Sequence, residues 1–477
     1  MNRFIESIAP NSFEQENHFY PKALNAQLHP MVSYFFNMNH ERIIKRYKHL
    51  NPKVNSEALS QILSYKSKYY YWGGSDLFYV TTESGNRKMV VLETNSCPSG
   101  QKSMPQRGDE SDEYRGYRFL IQHSFLPLLK RKRLIDGALA VIYDKNYMEV
   151  SGYAAALADL TQETVYLVPF YSDDDQNNVY VKDGVLIINT ETQKNIPIRA
   201  AFRYVTQKPW NRIPPICKTL IYNSTLICLA GGRNKLLANK AYEMFNSELA
   251  GTGLKINTPE TIKDVYKPEV PLWVKRFGGK AVIKIPYTNA GQGVFTITNE
   301  EELAAFMQQD YPYDQFIVQS LIGHYAWSSN SVQGKYFHVG TMPNKKGNIY
   351  IADLRMMVCG SETGFSPCAL YARRAKSPLA ETFTGKSWDV LGTNLSIKLE
   401  NNQWSSDTSR LMLLDRKDFN MLGIGIDDLV EGYIQTLLTI VAIDKMAQNL
   451  VNKKGQFRMK LFKSLDNDAS LLKEICI

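Results

Sequence analysis

The sequence predicts an α/β protein of several lobes, and three observations lead there. Residues 138–170 alternate: Ala138–Tyr143 and Val165–Phe170 are short apolar runs of strand type, and Tyr153–Leu160 between them has helical composition. Strand pairs recur at 76–98, 281–297 and 349–375, built largely from β-branched and aromatic residues. Both ends of the chain read as mainly helical. A length of 477 residues is too great for one ordinary domain and suggests two to four lobes.

Taken in order, residues 1 to about 65 are expected to be helical, with Ser56 as a capping residue at the start of one helix. The segment from Asp76 to Pro98 then reads as a hairpin turning at Ser84-Gly85-Asn86, where Gly and Asn permit positive φ. A polar loop, Gly100–Asp109, follows. The next helix passes through Tyr117 and ends in the basic cluster Lys130–Arg133, which suits a helix C-terminus. The β-α-β alternation from Gly137 predicts a small, mostly parallel lobe, decorated by a hairpin at Asp183-Gly184 and closed by Ile198–Val205 and the apolar segment Thr219–Ala230. Gly231-Gly232 marks a boundary before a helix over Asn234–Phe245. Strands are then expected at Ala281–Pro286, Val294–Ile297, Gln315–Ile322, Ile349–Val358 and Ala369–Ala375, and the chain from about Asp407 is mainly helical.

Composition excludes several classes. A hydrophobic share of 44% and a charged share of 22% are those of a soluble globular chain. A net charge of +9 is mild for this length; it fits a small anionic ligand and does not imply nucleic acid. None of the six cysteines forms a Cys-x-x-Cys pair or a zinc-spaced cluster. Charge occupies the N-terminus where a signal peptide would be apolar, and the apolar run Thr436–Ile443 falls far short of the roughly 20 residues of a membrane span. A cytoplasmic protein without membrane attachment is the expectation.

Folding the first hairpin brings chemistry together. A turn centred on Ser84-Gly85 sets Asp76 opposite Glu93, and one centred on Gly85-Asn86 sets it opposite Asn95; both place Asp76, Glu93 and Asn95 on one face. A slip of one residue would separate them. Three oxygen ligands suit a hard divalent cation such as magnesium, and a solvated outer face is the plainer alternative. Downstream, Pro286–Gly293 is a loop between strands whose two glycines can present backbone N–H groups to phosphate, though it is also an ordinary turn pattern. Lys284 stands just before it on an apolar strand. Arg355 and Arg373 become neighbours if residues 349–375 fold as a hairpin with a long loop, giving either a guanidinium pair for anions or a salt-bridged sheet face. The histidines are dispersed, and neither a Gly-x-Ser-x-Gly elbow nor a cysteine beside an obvious base competes.

These residues together resemble the ATP-grasp superfamily, especially ribosomal-protein glutamate ligases and bacterial glutathione synthetases. The ATP-binding run of that family is similar to Val282–Val294, its hinge to Ile317–Ile322, and its Asp-x-Arg strand to Asp353-Leu-Arg355. Its arginine strand and asparagine turn are similar to Ala372–Ala375 and Thr393-Asn394-Leu395; the acidic residue usual after Gln319 is missing. The metal-holding Glu-x-Asn strand is not found after Asn394 but is matched by Val90–Gly100, at the other end of the chain, so the resemblance is to a circularly permuted ATP-grasp fold with a small Rossmann-like lobe. It implies four parts: 1–110, N-terminal helices and a metal-binding hairpin completing the C-lobe; 111–230, the small α/β lobe; 231–315, the ATP-grasp N-lobe; and 316–477, the C-lobe with terminal helices.

The resemblance also implies roles. Lys284 and one lysine of the 234–240 helix, Lys240 in preference to Lys235, would hold ATP phosphates. Thr288, Asn289, Gly291, Gln292 and Gly293 would close over them as a lid. Gln319, Ser320, Leu321 and Ile322 would form the adenine hinge, the last three through backbone groups. Asp76, Glu93 and Asn95 would hold one or two magnesium ions, with manganese as a substitute. Arg355 and Arg373 would stabilise an acyl phosphate, and Asn394 would assist at the transferred phosphate. The expected activity is ATP- and magnesium-dependent joining of a small-molecule carboxylate, an amino acid or peptide, to an amine. A phosphotransferase acting on a hydroxyl and a nucleotide-binding module without turnover are the alternatives. The loop Ser96–Gln106 is expected to line the acceptor site, and homo-oligomer formation is left open.

Overall fold

The computed structural model describes residues 4–106, 116–131, 133–171, 178–205, 212–289, 291–382, 385–398 and 404–475. Residues 107–109 of the predicted polar loop, Lys132 of the basic cluster and Ala290 of the glycine loop lie outside them. The chain is mixed α/β, with three principal sheets. Helices Pro30–Phe36, His40–Leu50 and Ser56–Leu63 form near the N-terminus as expected, but the cap of the last is Asn55, whose side chain accepts from the amides of Glu57 and Ala58 at 2.9 and 3.0 Å. Ser56 is already helical. Ahead of these helices, Glu6–Ile8 is a strand rather than a helix and pairs antiparallel with Val165–Leu167 of the small lobe.

That lobe has a parallel centre, in which Ala138–Tyr143 lies between Val165–Pro169 and Ile196–Tyr204, and Leu220–Tyr222 runs parallel to the last. Its edges are antiparallel: Glu6–Ile8 on one side, the hairpin Val179–Lys182 and Val185–Ile188 on the other. Its helix spans Tyr147–Thr161, starting well before Tyr153, because Asn146 adopts a left-handed conformation (φ 56°) that starts the helix directly after the strand. The nucleus of the lobe is aromatic. Tyr153, Phe202 and Tyr222 pack on Trp72, whose ring is fully buried, and so tie the lobe to the first residue of the N-terminal hairpin.

A second, four-stranded antiparallel sheet has the order Thr261–Tyr266, Gln315–Ser320, Ala281–Lys284, Val294–Ile297. Its edge strand Thr261–Tyr266 has no clear sequence signal, since Lys263-Asp264 interrupts the alternation. The structure absorbs the pair in an irregularity between Ile262 and Val265, with Asp264 at φ 56°.

The third sheet unites distant parts of the chain. Trp72–Thr82 pairs with Arg87–Asn95 along one edge and with Ala352–Ser361 along the other, and Gly364–Arg374 follows. The arginine strands turn tightly, Ser361 pairing with Gly364, instead of through the expected long loop. Gly360, Gly364 and Pro367 read as breakers, yet Pro367 is accommodated at a register shift beside Val358, so both strands run further than their composition suggests. Helix Ile426–Asn449, buried along most of its length, covers the back of this sheet, with Gly432 against Leu77 and Leu354 and Thr439 bonded to Ser75 at 3.0 Å. No described helix is long and apolar enough to cross a membrane.

Candidate active site

The front face of the third sheet carries the site. Strand alternation places Asp76, Glu93, Asn95, Asp353, Arg355, Tyr371 and Arg373 on it together, because Asp76 pairs with Glu93 and with Arg355, and Asp353 with Arg373. The hairpin reaches this by an unexpected route. Near the turn, Thr81 pairs with Arg87 and Leu77 with Val91, a register that would set Asp76 opposite Leu92 and turn Glu93 to the back. A bulge at Leu92 inserts one residue and restores the pairing of Asp76 with Glu93. The carbonyl of the bulged Leu92 accepts from Lys284 Nζ at 3.2 Å.

Asp76 is buried and accepts from Arg355 Nε (2.5 Å) and Nη2 (2.7 Å), while Arg373 Nη2 lies 2.9 Å from the same carboxylate. Burial pushes the Asp76 carboxyl upward, but the two guanidinium groups outweigh it and hold it well below the usual carboxylate range. Arg373 also grips Asp353 through a bidentate pair, and Thr393 Oγ1 donates to Asp353 at 3.0 Å. Arg355 lies opposite Tyr371, diagonal to Arg373, and donates to the Tyr371 hydroxyl at 3.2 Å. The arginine pair is thus held in place by carboxylates within the sheet.

Across a cleft of about 1050 Å³ stand the residues of the four-stranded sheet. Lys284 ends its strand in a buried position, and desolvation, partly offset by Glu93, lowers its ammonium to about 8. Lys235 lies 3.9 Å from Glu93 and also hydrogen-bonds the Thr288 carbonyl; burial lowers its pKa in the same way. Lys240, the lysine preferred from sequence, is elsewhere: it is 2.9 Å from Asp264, donates to the Leu465 carbonyl at 2.6 Å, and does not line the cleft. Helix phase explains the correction. Asn234 caps the helix and Lys235 leads it beside the glycine loop, whereas five residues later the side chain has rotated about 140° further round the axis.

Thr288, Asn289, Gly291 and Gln292 line the cleft, and Gly293 turns the loop behind them at φ 65°. The loop lies against the opposite sheet's elements: a Cβ at Gly291 would come within 2.6 Å of Asn394 Nδ2 and 3.3 Å of Trp388. Arg233 holds it from below through Asn289 Oδ1. Gln319, Ser320, Leu321 and Ile322 reach the cleft wall at the end of their strand. The expected use of Leu321 backbone groups for adenine meets an obstacle, since its amide already donates to Ser329 Oγ (2.7 Å) and its carbonyl already accepts from Ser329 N and Ser328 Oγ, both at 3.0 Å. The Ser320 amide is likewise committed to the Glu260 carbonyl at 2.9 Å.

Several lining residues carry no motif. The turn Asp144-Lys145-Asn146 leaves the C-terminal end of the central parallel strand of the small lobe, where such sheets open a crevice; that placement was the available signal. The loop Ser99–Ser103 is fixed from below by Glu149, fully buried, which accepts from Gly100 N (2.7 Å), Gln101 N (2.9 Å) and Ser99 Oγ (2.6 Å). Ser99, Lys102 and Ser103 line the cleft. Gly232 lets the segment after the hairpin approach the helix start: Ser96 N donates to its carbonyl at 3.0 Å, and a Cβ would lie 2.6 Å from Ser96 Cβ.

The donors can be tested against the magnesium that the resemblance implies. Among the described residues no group of three His, Cys, Asp or Glu side chains is placed to hold a metal, so a site here needs Asn95. Glu93 is partly open to the cleft, and Asn95 Nδ2 lies 3.4 Å from Glu93 Oε1. Oxygen donors beside Lys235 and Lys284 fit a hard cation bound together with an anion. Asp76, with three guanidinium contacts on its carboxylate, is the most committed of the three.

No protein-family model matches the chain, and no curated protein matches it in sequence. Among solved structures it is similar to a glutathione synthetase-like effector from Globodera pallida (10% identity, 78% of this chain and 87% of that one, TM-score 0.35). It is also similar to D-alanyl-alanine synthetase A from Vibrio cholerae (11%, 64% and 99%, TM-score 0.31). A third is a RimK domain protein with an ATP-grasp fold from Sphaerobacter thermophilus (11%, 49% and 90%, TM-score 0.28). The RimK domain protein and an ATP-grasp ligase, PsnB, are among the solved structures that this mixed α/β chain is similar to.

Proposed function

We propose that this chain is an ATP- and magnesium-dependent carboxylate–amine ligase with a circularly permuted ATP-grasp arrangement. One observation carries the reading: an acidic hairpin from the N-terminal part and an arginine hairpin from the C-terminal part share one sheet face, opposite the buried Lys284, the partly buried Lys235 and a glycine loop. Lys235 and Lys284 would bind the phosphates of ATP, and the loop from Thr288 to Gly293 would exclude water over them. Glu93 and Asn95 would hold magnesium, which when bound supplies charge neutralisation between the phosphates. Arg355 and Arg373 would orient the substrate carboxylate and offset charge as its oxygen attacks the γ-phosphorus and ADP leaves. An amine then displaces phosphate from the acyl carbon to form the amide. Since a carboxylate attacks already ionised, the chain needs no nucleophile of its own, and no histidine stands among the described residues lining the cleft.

Hydroxylamine provides a general amine for the test. With ATP, magnesium and a panel of amino acids and short peptides, the ligase reading expects ADP and a hydroxamate in equal amounts. A product that retains the phosphate on its acceptor would mean a phosphotransferase, and nucleotide binding with no turnover on any acceptor would mean a binding module. Glu93→Gln is expected to lower hydroxamate formation at least 100-fold, about 3 kcal/mol of transition-state stabilisation, with an unchanged circular dichroism spectrum. Ligation at the wild-type rate by that variant would remove Glu93 from the mechanism.

A further inference from the structure

The cleft holds more positive charge than a magnesium–nucleotide complex requires. Arg355 and Arg373 are already paired with Asp76 and Asp353, and Lys235 and Lys284 share Glu93. At the small-lobe end a further cation remains. Lys145 lines the cleft, is partly buried, and makes no hydrogen bond or ion pair with any side chain or backbone group among the described residues. Its charged neighbours are Arg233, Arg355 and Lys102, with Asp144 as the single carboxylate; burial and then these like charges lower its ammonium to about 8. Lys102, on the loop that follows the hairpin, is buried with its ammonium 5.0 Å from the centre of the Tyr20 ring. Its nearest carboxylate, Glu149 at 3.9 Å, is spent on the backbone amides of Gly100 and Gln101.

Like charges gathered around a desolvated ammonium are unfavourable in the free protein and become favourable when a ligand brings an anion. The place is also right for one. Lys145 follows the C-terminal end of a central parallel strand, and Lys102 is only a few residues beyond Asn95, on the loop that Arg355 reaches through the Ser99 carbonyl at 3.5 Å.

We propose that the acid substrate carries a second carboxylate, held by Lys145 and Lys102, while its first carboxylate is activated beside Arg355 and Arg373. The substrate class is therefore a dicarboxylate, including acidic amino acids and peptides, in preference to a monocarboxylate. This rests on the ligase reading. In the activation step one carboxylate oxygen bonds to the γ-phosphorus as the bond to ADP breaks. The nitrogen of the amine then bonds to the acyl carbon, phosphate departs with the shared oxygen, and the amine proton passes to solvent; the second carboxylate is unchanged throughout.

The test uses the full chain with ATP, magnesium and hydroxylamine, comparing glutarate with pentanoate and L-glutamate with L-norvaline. The expected result is a preference for the di-acid of at least tenfold in kcat/KM for hydroxamate. Lys145→Met should reduce that preference at least tenfold, mainly through the KM of the di-acid, and Lys145→Arg should restore most of it. Equal use of di-acid and mono-acid, or equal loss on both in Lys145→Met, overturns the proposal while leaving the ligase reading intact. Should no acid yield hydroxamate, the ligase reading fails and thermal unfolding decides the anion site. Stabilisation by glutarate but not pentanoate, lost in Lys145→Met, keeps it; no difference between the two acids removes it.

Discussion

Lys284 shows what a single buried ammonium costs the free protein. It ends an otherwise apolar strand, and burial holds its ammonium at about 8 against about 10.4 for an exposed lysine. Because the folded state releases this proton earlier than the unfolded state, the penalty is fully present below pH 8 and is relieved as the pH climbs toward about 10. Ligand-free protein should therefore gain stability over that window, while ATP affinity, to which the proposed function assigns this ammonium, should fall. Lys284→Met is expected to raise the thermal midpoint of the free protein at pH 7, to weaken ATP binding about tenfold or more, and to flatten both pH trends. Scanning calorimetry and nucleotide titration at several pH values check this. Lys284 was legible in the sequence because a lysine in an apolar strand is conspicuous. The choice between Lys235 and Lys240 was not, since both occupy one helix and only its direction relative to the glycine loop separates them.

Elements decide which of these side chains can meet. The hairpin was readable from Asp76 onward by its alternation and its Gly85 turn, and so was the common face of Asp76, Glu93 and Asn95, while the strand begins earlier, at Trp72. The bulge at Leu92 was not, because nothing in Val-Val-Leu-Glu distinguishes it from a regular strand; it follows from the turn geometry at one end and the pairing with Ala352–Ser361 at the other. The hairpin's approach is held by one carboxylate. Asp444, fully buried in the covering helix, accepts from Tyr69 N and Tyr70 N at 2.8 Å, from Lys68 N at 3.2 Å, and from Tyr65 and Ser67 hydroxyls at 2.8 Å. Asp444→Ala would leave those buried donors unsatisfied and should destabilise the fold by about 3 kcal/mol, measured by denaturant unfolding. Glu93 and Asp76 lie beyond that segment, so ATP turnover in the surviving folded fraction should drop far less than in Glu93→Gln.

At the scale of the molecule, the cleft exists because two sheets and the small lobe face one another. The glycine loop of one sheet rests on Asn394 and Trp388 beside the other. Nucleotide bound between them would link both sides, so magnesium–ATP at 100 times its Kd should add about 2.7 kcal/mol of stability, read as a raised thermal midpoint. Gly291→Ala should reduce that gain, because its φ of 75° disfavours a side chain and the new Cβ would press on Asn394. An ATP KM unchanged in Gly291→Ala would show that the loop does not close on nucleotide.

Local pattern was sufficient for much of the mixed α/β character, for the arginine strands and for the acidic face of the first hairpin, because alternation and turn chemistry act over a few residues. Tertiary structure alone placed that hairpin beside Ala352–Ser361, selected Lys235 over Lys240 at the cleft, occupied the Leu321 backbone, and brought Lys145 and Arg355 to one cleft. Each of these joins segments far apart in the chain, and such contacts are set by how whole sheets and helices bury their apolar faces against one another.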